Sequence, residues 1–105
     1  FKKKKIKLIK SKINKQGKFD VKAILKRLYK HNCRNLLIEG GDGLTSYLLK
    51  NRIFNKFYLY KGSKNLSKET EYLKFNSLDV LKKNYKNKFN LNLFLGKDKI
   101  TLYKN

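Results

Sequence analysis

Apolar residues recur at helical spacing in the first third of the chain. Their i, i+3, i+4, i+7 and i+8 pattern predicts a helix with one apolar stripe, formed by Val21, Ile24, Leu25, Leu28 and Tyr29. Asp20 precedes this stripe and is a good N-cap residue. We expect the helix to end at His31 and Asn32, since Asn tolerates the left-handed backbone that often follows a helix.

Two strands are predicted on either side of this helix. Residues 6–13 alternate apolar residues with lysines, apart from one phase slip, which is typical of an edge strand with one buried face. Residues 36–38 form a short, continuous apolar run. Such a run is what a strand needs in a parallel sheet that is covered on both faces.

A second helix and a third strand follow. Leu44, Tyr47 and Leu48 lie at helical spacing after a group of glycines, and residues 57–60 alternate as a strand does. The order is therefore β-α-β-α-β, for which right-handed crossovers are expected. The predicted fold class is α/β, with a central, mainly parallel sheet flanked by helices.

The last part of the chain predicts an antiparallel hairpin. Residues 90–95 and 99–103 alternate in polarity and are joined by a turn at Gly96, Lys97 and Asp98. Residues 61–74 are polar and are interpreted as a connecting loop. Residues 78–85 fit either a helix or a strand, and we favour a strand or bulged extension that leads into the hairpin.

Length and the first residue limit the domain organisation. A chain of 105 residues forms one small domain or a piece of one. It begins at Phe1 and contains no methionine. We expect residues 1–105 to be either a single domain or the C-terminal half of a larger one.

Charge raises the question of a nucleic-acid partner. Lys and Arg number 28 against 7 Asp and Glu, a formal net charge of +21, which favours polyanions. Only three of the 28 are arginine, the residue better suited to clamping phosphates and reading bases. The lysine and asparagine excess is typical of drift under an AT-rich genome, so we expect solvated lysine faces and no nucleic-acid partner.

Composition also bears on metals, redox state and membranes. Cys33 and His31 are the single cysteine and histidine, so an internal disulfide is impossible and no metal site is expected. No apolar run approaches the roughly 18 residues that span a bilayer. We expect a cytoplasmic protein without a membrane partner.

The glycine-rich segment that follows the apolar run at residues 36–38 is the candidate site. Glu39, Gly40, Gly41 and Gly43 lead into the second predicted helix. Backbone N–H groups at a helix start suit a phosphate, and glycine lets a ligand approach them. The spacing only approximates G-x-G-x-x-G, so two interpretations remain open: a phosphate-binding turn, or glycines that turn the chain and permit close helix packing.

The same segment resembles a known family. The sequence L-I-E-G-G-D-G-L-T-S-Y-L-L, residues 37–49, is similar to the L-V-E-G-G-x-x-L-x-x-x-L-L block of the reductase domain of riboflavin-biosynthesis deaminase/reductases. Residues 19–28 resemble the family's preceding helix, residues 53–60 its next strand, and the final hairpin its ending. Asn55 and Lys56 depart from the family pattern, which has an acidic pair there.

The resemblance implies the C-terminal half of a dihydrofolate-reductase-like domain, acting as a homodimer. It implies NADPH-dependent reduction of 5-amino-6-(5-phosphoribosylamino)uracil to the ribityl product, which makes that phosphoribosylaminopyrimidine the substrate. Glu39 would lie beside the substrate or the nicotinamide. The residues expected to line the cofactor are Gly40, Gly41, Asp42, Gly43, Leu44 and Thr45.

Two alternatives to an active reductase stay open. The first is a basic nucleic-acid-binding module, whose affinity would fall steeply with salt. The second is a non-catalytic remnant that acts as an oligomerisation unit. The family's first strands and helix, which carry much of the substrate site, have no counterpart in this sequence, so the isolated chain is uncertain as an enzyme.

Overall fold

A computed structural model describes residues 6–63, 76–93 and 96–105. The chain divides into two compact units, Phe1–Ile38 and Glu39–Asn105. In chain order, the elements are α1 Val21–Lys30, α2 Asp42–Lys50, β1 Lys56–Lys61, α3 Ser77–Asn84, β2 Lys88–Leu91 and β3 Lys99–Lys104.

The first unit is built around α1, which confirms the helix predicted there. The Asp20 carboxylate caps it by accepting a hydrogen bond from the Ala23 backbone N–H at 3.0 Å. His31 is the C-cap, and Asn32 follows with a φ of 65°, the left-handed backbone expected after a helix. Local capping therefore fixes both ends of this helix.

The two strands predicted in the first unit are not found. Within residues 6–13, only Ile13 pairs, in an isolated antiparallel bridge with Phe19. Leu36, Leu37 and Ile38 belong to no strand and all three are exposed, Leu37 to 80 %. The apolar pattern is real, but a strand also needs a hydrogen-bonded neighbour, and the described part of this unit provides none beside these residues.

The second unit contains a three-stranded antiparallel sheet in the order β1-β3-β2. β1 confirms the strand predicted over residues 57–60, and its register places Tyr58 opposite Leu102. β2 and β3 confirm the predicted hairpin, with Leu91 opposite Ile100, although β2 lies at residues 88–91 instead of 90–95. Residues 94 and 95 lie outside the described ranges. A parallel sheet is not seen in the part of the chain that the structure describes.

The strand favoured over residues 78–85 was wrong, because these residues form α3. Leu81 is fully buried and Tyr85, four residues later, is 5 % exposed, so one helical face carries the buried side chains. In a strand, Asp79 and Lys83 would share the face of Leu81 and Tyr85, yet both are exposed. The predicted loop over residues 61–74 lies mostly outside the described ranges, although Lys61 ends β1.

The core of the second unit joins both helices to the central strand. It consists of Leu49 from α2, Leu81 from α3, Tyr85 just after α3, and Tyr103 from β3. Partly buried side chains surround this cluster: Phe54, Phe57, Leu59 and Val80. The Tyr85 hydroxyl donates a 2.6 Å hydrogen bond to the Leu49 carbonyl. Burial raises the pKa of Tyr85, which keeps the phenol protonated as this bond requires.

Tyr85→Phe should lower the free energy of unfolding by about 1 kcal/mol, the usual net value of one hydrogen bond. The ring and its packing are retained, while the bond to the Leu49 carbonyl is lost. Urea unfolding at neutral pH measures the change, with Tyr29→Phe as the control, because Tyr29 is 62 % exposed on α1. Equal stability of both variants would show that the buried bond contributes nothing.

Candidate functional site

The glycine segment forms a turn that opens directly into α2. Gly41 is the N-cap residue, with φ −67° and ψ 176°, and Asp42 is the first helical residue. This confirms that the glycine segment leads into a helix, with Gly40 and Gly41 before it and Gly43 in its first turn. The first-turn N–H groups therefore lie at the positive end of the α2 dipole.

Thr45 stabilises the turn through hydrogen bonds to two glycine carbonyls. Its backbone N–H donates to the Gly41 carbonyl at 3.1 Å, and its hydroxyl donates to the Gly40 carbonyl at 3.3 Å. Thr45 is buried, at 8 % exposure. The Thr45 hydroxyl thus stabilises the turn. The N-cap residue, Gly41, has no side chain that could bond to the first N–H groups of α2.

The glycines fall into two groups by the space around them. A Cβ built on Gly40 would approach Leu44 Cδ2 at 3.2 Å, tighter than normal packing. A Cβ on Gly41 or Gly43 would meet nothing within 4 Å. Gly40 thus fits the packing interpretation, whereas Gly41 and Gly43 leave open space beside the helix start, as a bound phosphate needs.

Asp42 is bound to the start of α3. Its Oδ1 accepts a 2.9 Å hydrogen bond from the Ser77 backbone N–H and a second one from the Ser77 hydroxyl. The Asn76 side-chain amide approaches Oδ2 at 3.4 Å. The Ser77 hydroxyl, followed by the Ser77 N–H, lowers the pKa of Asp42 below its ordinary value of 3.8, because both stabilise the charged form.

The predicted site residues, 39–45, form one turn and the start of α2, but their surroundings differ. Glu39 is exposed at the start of the turn, and Leu44 is 39 % exposed with its side chain next to Gly40. Gly40, Gly41, Asp42, Gly43 and Thr45 complete the same local unit. Glu39, Gly41, Gly43 and Leu44 are exposed, whereas Asp42 and Thr45 direct their side chains to contacts within the protein.

Sequence reasoning missed Ser77 and Asn76, which bind Asp42. Both are residue types that favour helix starts, and Asp79 lies in the first turn of α3. Leu78, Leu81 and Tyr85 also stand at i, i+3 and i+7, a helical spacing. A helix prediction for these residues would have placed Asn76 and Ser77 at the helix start. It would not have revealed the contact between Ser77 and Asp42, which are 35 residues apart.

The described ranges contain neither a candidate metal site nor a candidate membrane-spanning helix. No group of three or more His, Cys, Asp or Glu residues in them is placed to hold a metal ion. No helix in those ranges is both long and apolar enough to cross a membrane.

A helix start with open space beside two glycines is a kind of site that suits a phosphorylated ligand. The family model of the RibD C-terminal domain matches residues 1–88, and the chain belongs to this family. The match ends at the first residue of β2, so the likeness of the final hairpin to the family stays a prediction. Neither the curated proteins nor the solved structures yielded a match.

Membership makes the chain a domain of the riboflavin-pathway reductase kind, for which a dihydrofolate-reductase-like fold is implied. Reductases of this family typically use a nicotinamide cofactor. The turn has room for a phosphate, because a Cβ built on Gly41 or Gly43 at the start of α2 would meet no atom within 4 Å.

The bond between Asp42 and Ser77 should make stability depend on pH. A carboxylate whose pKa is lowered by folding contributes stability above its unfolded pKa, and this is lost as pH falls through the folded pKa. Urea midpoints of the wild type and Asp42→Asn should therefore differ at pH 7 and converge as pH falls below 3.8. Asp79→Asn, which retains Asp42, should keep the full pH dependence. A constant gap at every pH would contradict this assignment.

Proposed function

We propose that this chain is the cofactor-binding part of an NADPH-dependent reductase of riboflavin biosynthesis. Its substrate is 5-amino-6-(5-phosphoribosylamino)uracil, whose ribose ring is opened to a ribityl chain. The observation that carries this proposal is the open glycine turn at the start of α2, in a chain that belongs to the RibD C-terminal domain family. The reaction takes place in the cytoplasm, where a reducing environment suits the free thiol of Cys33.

The residues of the turn bind the cofactor mainly through their backbone. The N–H groups of residues 41–44 point toward a phosphate at the positive end of α2, and Gly41 and Gly43 allow close approach. The net charge of +21 adds a long-range attraction for a phosphorylated cofactor and substrate, which salt screens. Binding is thus favoured by local dipoles and by the overall field.

Glu39 is the candidate residue beside the reacting groups. It is exposed and directly precedes the turn, so it can reach a ligand held by the N–H groups of α2. NADPH, when bound, supplies the hydride that reduces the carbonyl carbon of the sugar. In this proposal, Glu39 orients the substrate or the nicotinamide by accepting hydrogen bonds.

The fuller fold is part of the same proposal. Leu36, Leu37 and Ile38 are apolar, exposed and directly precede the site. Three consecutive apolar side chains gain free energy when a sheet covered on both faces buries them. We propose that they form a strand of a central parallel sheet in the assembled reductase domain, which would place the turn at the carboxyl edge of that sheet.

The cofactor proposal predicts that the full-length protein binds NADPH and that Gly41→Val removes this binding. Titration is followed by the change in the fluorescence of the reduced nicotinamide. The valine is compatible with the backbone at Gly41, where a Cβ meets no atom within 4 Å, so the protein should fold while the side chain blocks the amides. We expect at least a tenfold loss of affinity, equivalent to about 1.4 kcal/mol.

Gly62→Val is the matched control, because the nearest atom to its Cβ, Asp98 Oδ1, is 4.0 Å away and the position lies outside the turn. This variant should bind NADPH as the wild type does. The absence of any response from the full-length wild type would refute the proposal. Equal affinities of Gly41→Val and the wild type would refute the placement of the phosphate at this turn.

We further propose that the reductase acts as a homodimer. The supporting observation is the sheet face opposite the one that carries Phe57 and Tyr103. On it, Tyr58, Tyr60 and Phe89 are 42 %, 70 % and 48 % exposed. Light scattering after size exclusion should give the mass of two chains, and Tyr60→Lys should shift it toward one. A monomeric wild type at micromolar concentration would contradict the dimer.

A further inference from the structure

The carboxylate of Asp42 serves a neighbouring helix instead of its own. An acidic residue in the first turn of a helix ordinarily stabilises the N–H groups of that same turn. Here, Oδ1 accepts both the N–H and the hydroxyl of Ser77, and Oδ2 faces the Asn76 amide. The charge of Asp42 is therefore directed to the start of α3.

This contact substitutes for the missing cap of α3. Asn76 is the N-cap residue of α3, yet its side chain makes no capping hydrogen bond within that helix. Asp42 instead accepts from the N–H of Ser77, one of the first N–H groups that a helix start leaves without a partner inside the helix. Ser77 is fully buried, so water does not compete readily for this bond.

A second contact fixes the opposite ends of the same helices. The Tyr85 hydroxyl, just after α3, donates to the Leu49 carbonyl in the last turn of α2. The starts of α2 and α3 are thus bound together, as are their ends, and the helices run in the same direction. The first turn of α2 cannot move without disturbing one of these contacts.

We propose that Asp42 is a positioning residue of the cofactor site. Through Ser77 it holds the first turn of α2 in place, and this contact directs its negative charge away from the phosphate that the turn receives. The inference rests on the proposed function and assigns Asp42 an indirect role, distinct from contact with the cofactor.

The experiment measures NADPH affinity in the full-length wild type, Asp42→Ala, Asp42→Asn and Ser77→Ala. Asp42→Ala should weaken binding about tenfold, in the range expected when a hydrogen bond to a charged group is lost. Asp42→Asn should stay within about threefold of the wild type, because its amide oxygen still accepts from the Ser77 N–H. Ser77→Ala should weaken binding although it lies outside the glycine turn. Asp79→Asn, on the same turn of α3, is the control and should bind normally.

The salt dependence of NADPH binding separates positioning from direct electrostatic contact. If Asp42 faces Ser77, Asp42→Asn and the wild type should show the same dependence of affinity on salt. A carboxylate that faced the phosphate would repel it, and Asp42→Asn would then tighten binding and alter the salt dependence. That result would overturn the inference.

Hydrogen exchange without NADPH tests the same coupling. The Thr45 N–H is bonded to the Gly41 carbonyl, so it reports on the order of the turn. Its exchange should accelerate in Asp42→Ala and Ser77→Ala, while the amides of β3 keep the wild-type rate. Unchanged Thr45 exchange in both variants would overturn the inference, whether or not NADPH binds. Failure of the wild type to bind NADPH would overturn the proposed function alone.

Discussion

The side-by-side fixation of α2 and α3 is the constraint on which the second unit depends. Asp42 holds the start of α3 through Ser77, and Tyr85 holds the end of α2 through the Leu49 carbonyl. Each contact satisfies polar groups that would be costly to leave unpaired in a buried setting. Between them, Leu49 and Leu81 pack against Tyr103 of the central strand. The two polar contacts therefore fix the geometry that the apolar cluster stabilises.

The candidate site gains its order from this arrangement. A phosphate-binding turn works best when its N–H groups are already aligned, because a mobile turn must lose conformational entropy on binding. Here, Thr45 closes the turn from within, and Asp42 connects it to a second helix. The open space beside Gly41 is then bordered by a rigid helix start. The site combines rigid support on one side with free access on the other.

Glycines in one short segment serve different physical purposes. Gly40 is close to Leu44, where a larger residue would crowd the helix, while Gly41 and Gly43 border open space. Gly40 thus fits the packing interpretation, while Gly41 and Gly43 leave room for the ligand that we propose. In our proposal, these open positions bind the cofactor of a reductase of the RibD C-terminal domain family. The strong basic charge is compatible with a phosphorylated ligand and needs no nucleic-acid partner to explain it.

Local sequence signals determined much of this protein. The cap at Asp20, the helix after the glycines and the hairpin turn at Gly96 depend on neighbours within a few residues, so they could be predicted. The residues of the candidate turn were also recognisable, since the pattern that carries them is contiguous.

Tertiary structure decided the rest. The local pattern of residues 78–85 fits a helix as well as a strand, and burial of one face favoured the helix. Residues 36–38 lack a strand neighbour, and Ser77 contacts Asp42 from 35 positions away. Pairing and burial depend on residues distant in sequence, which no local pattern specifies.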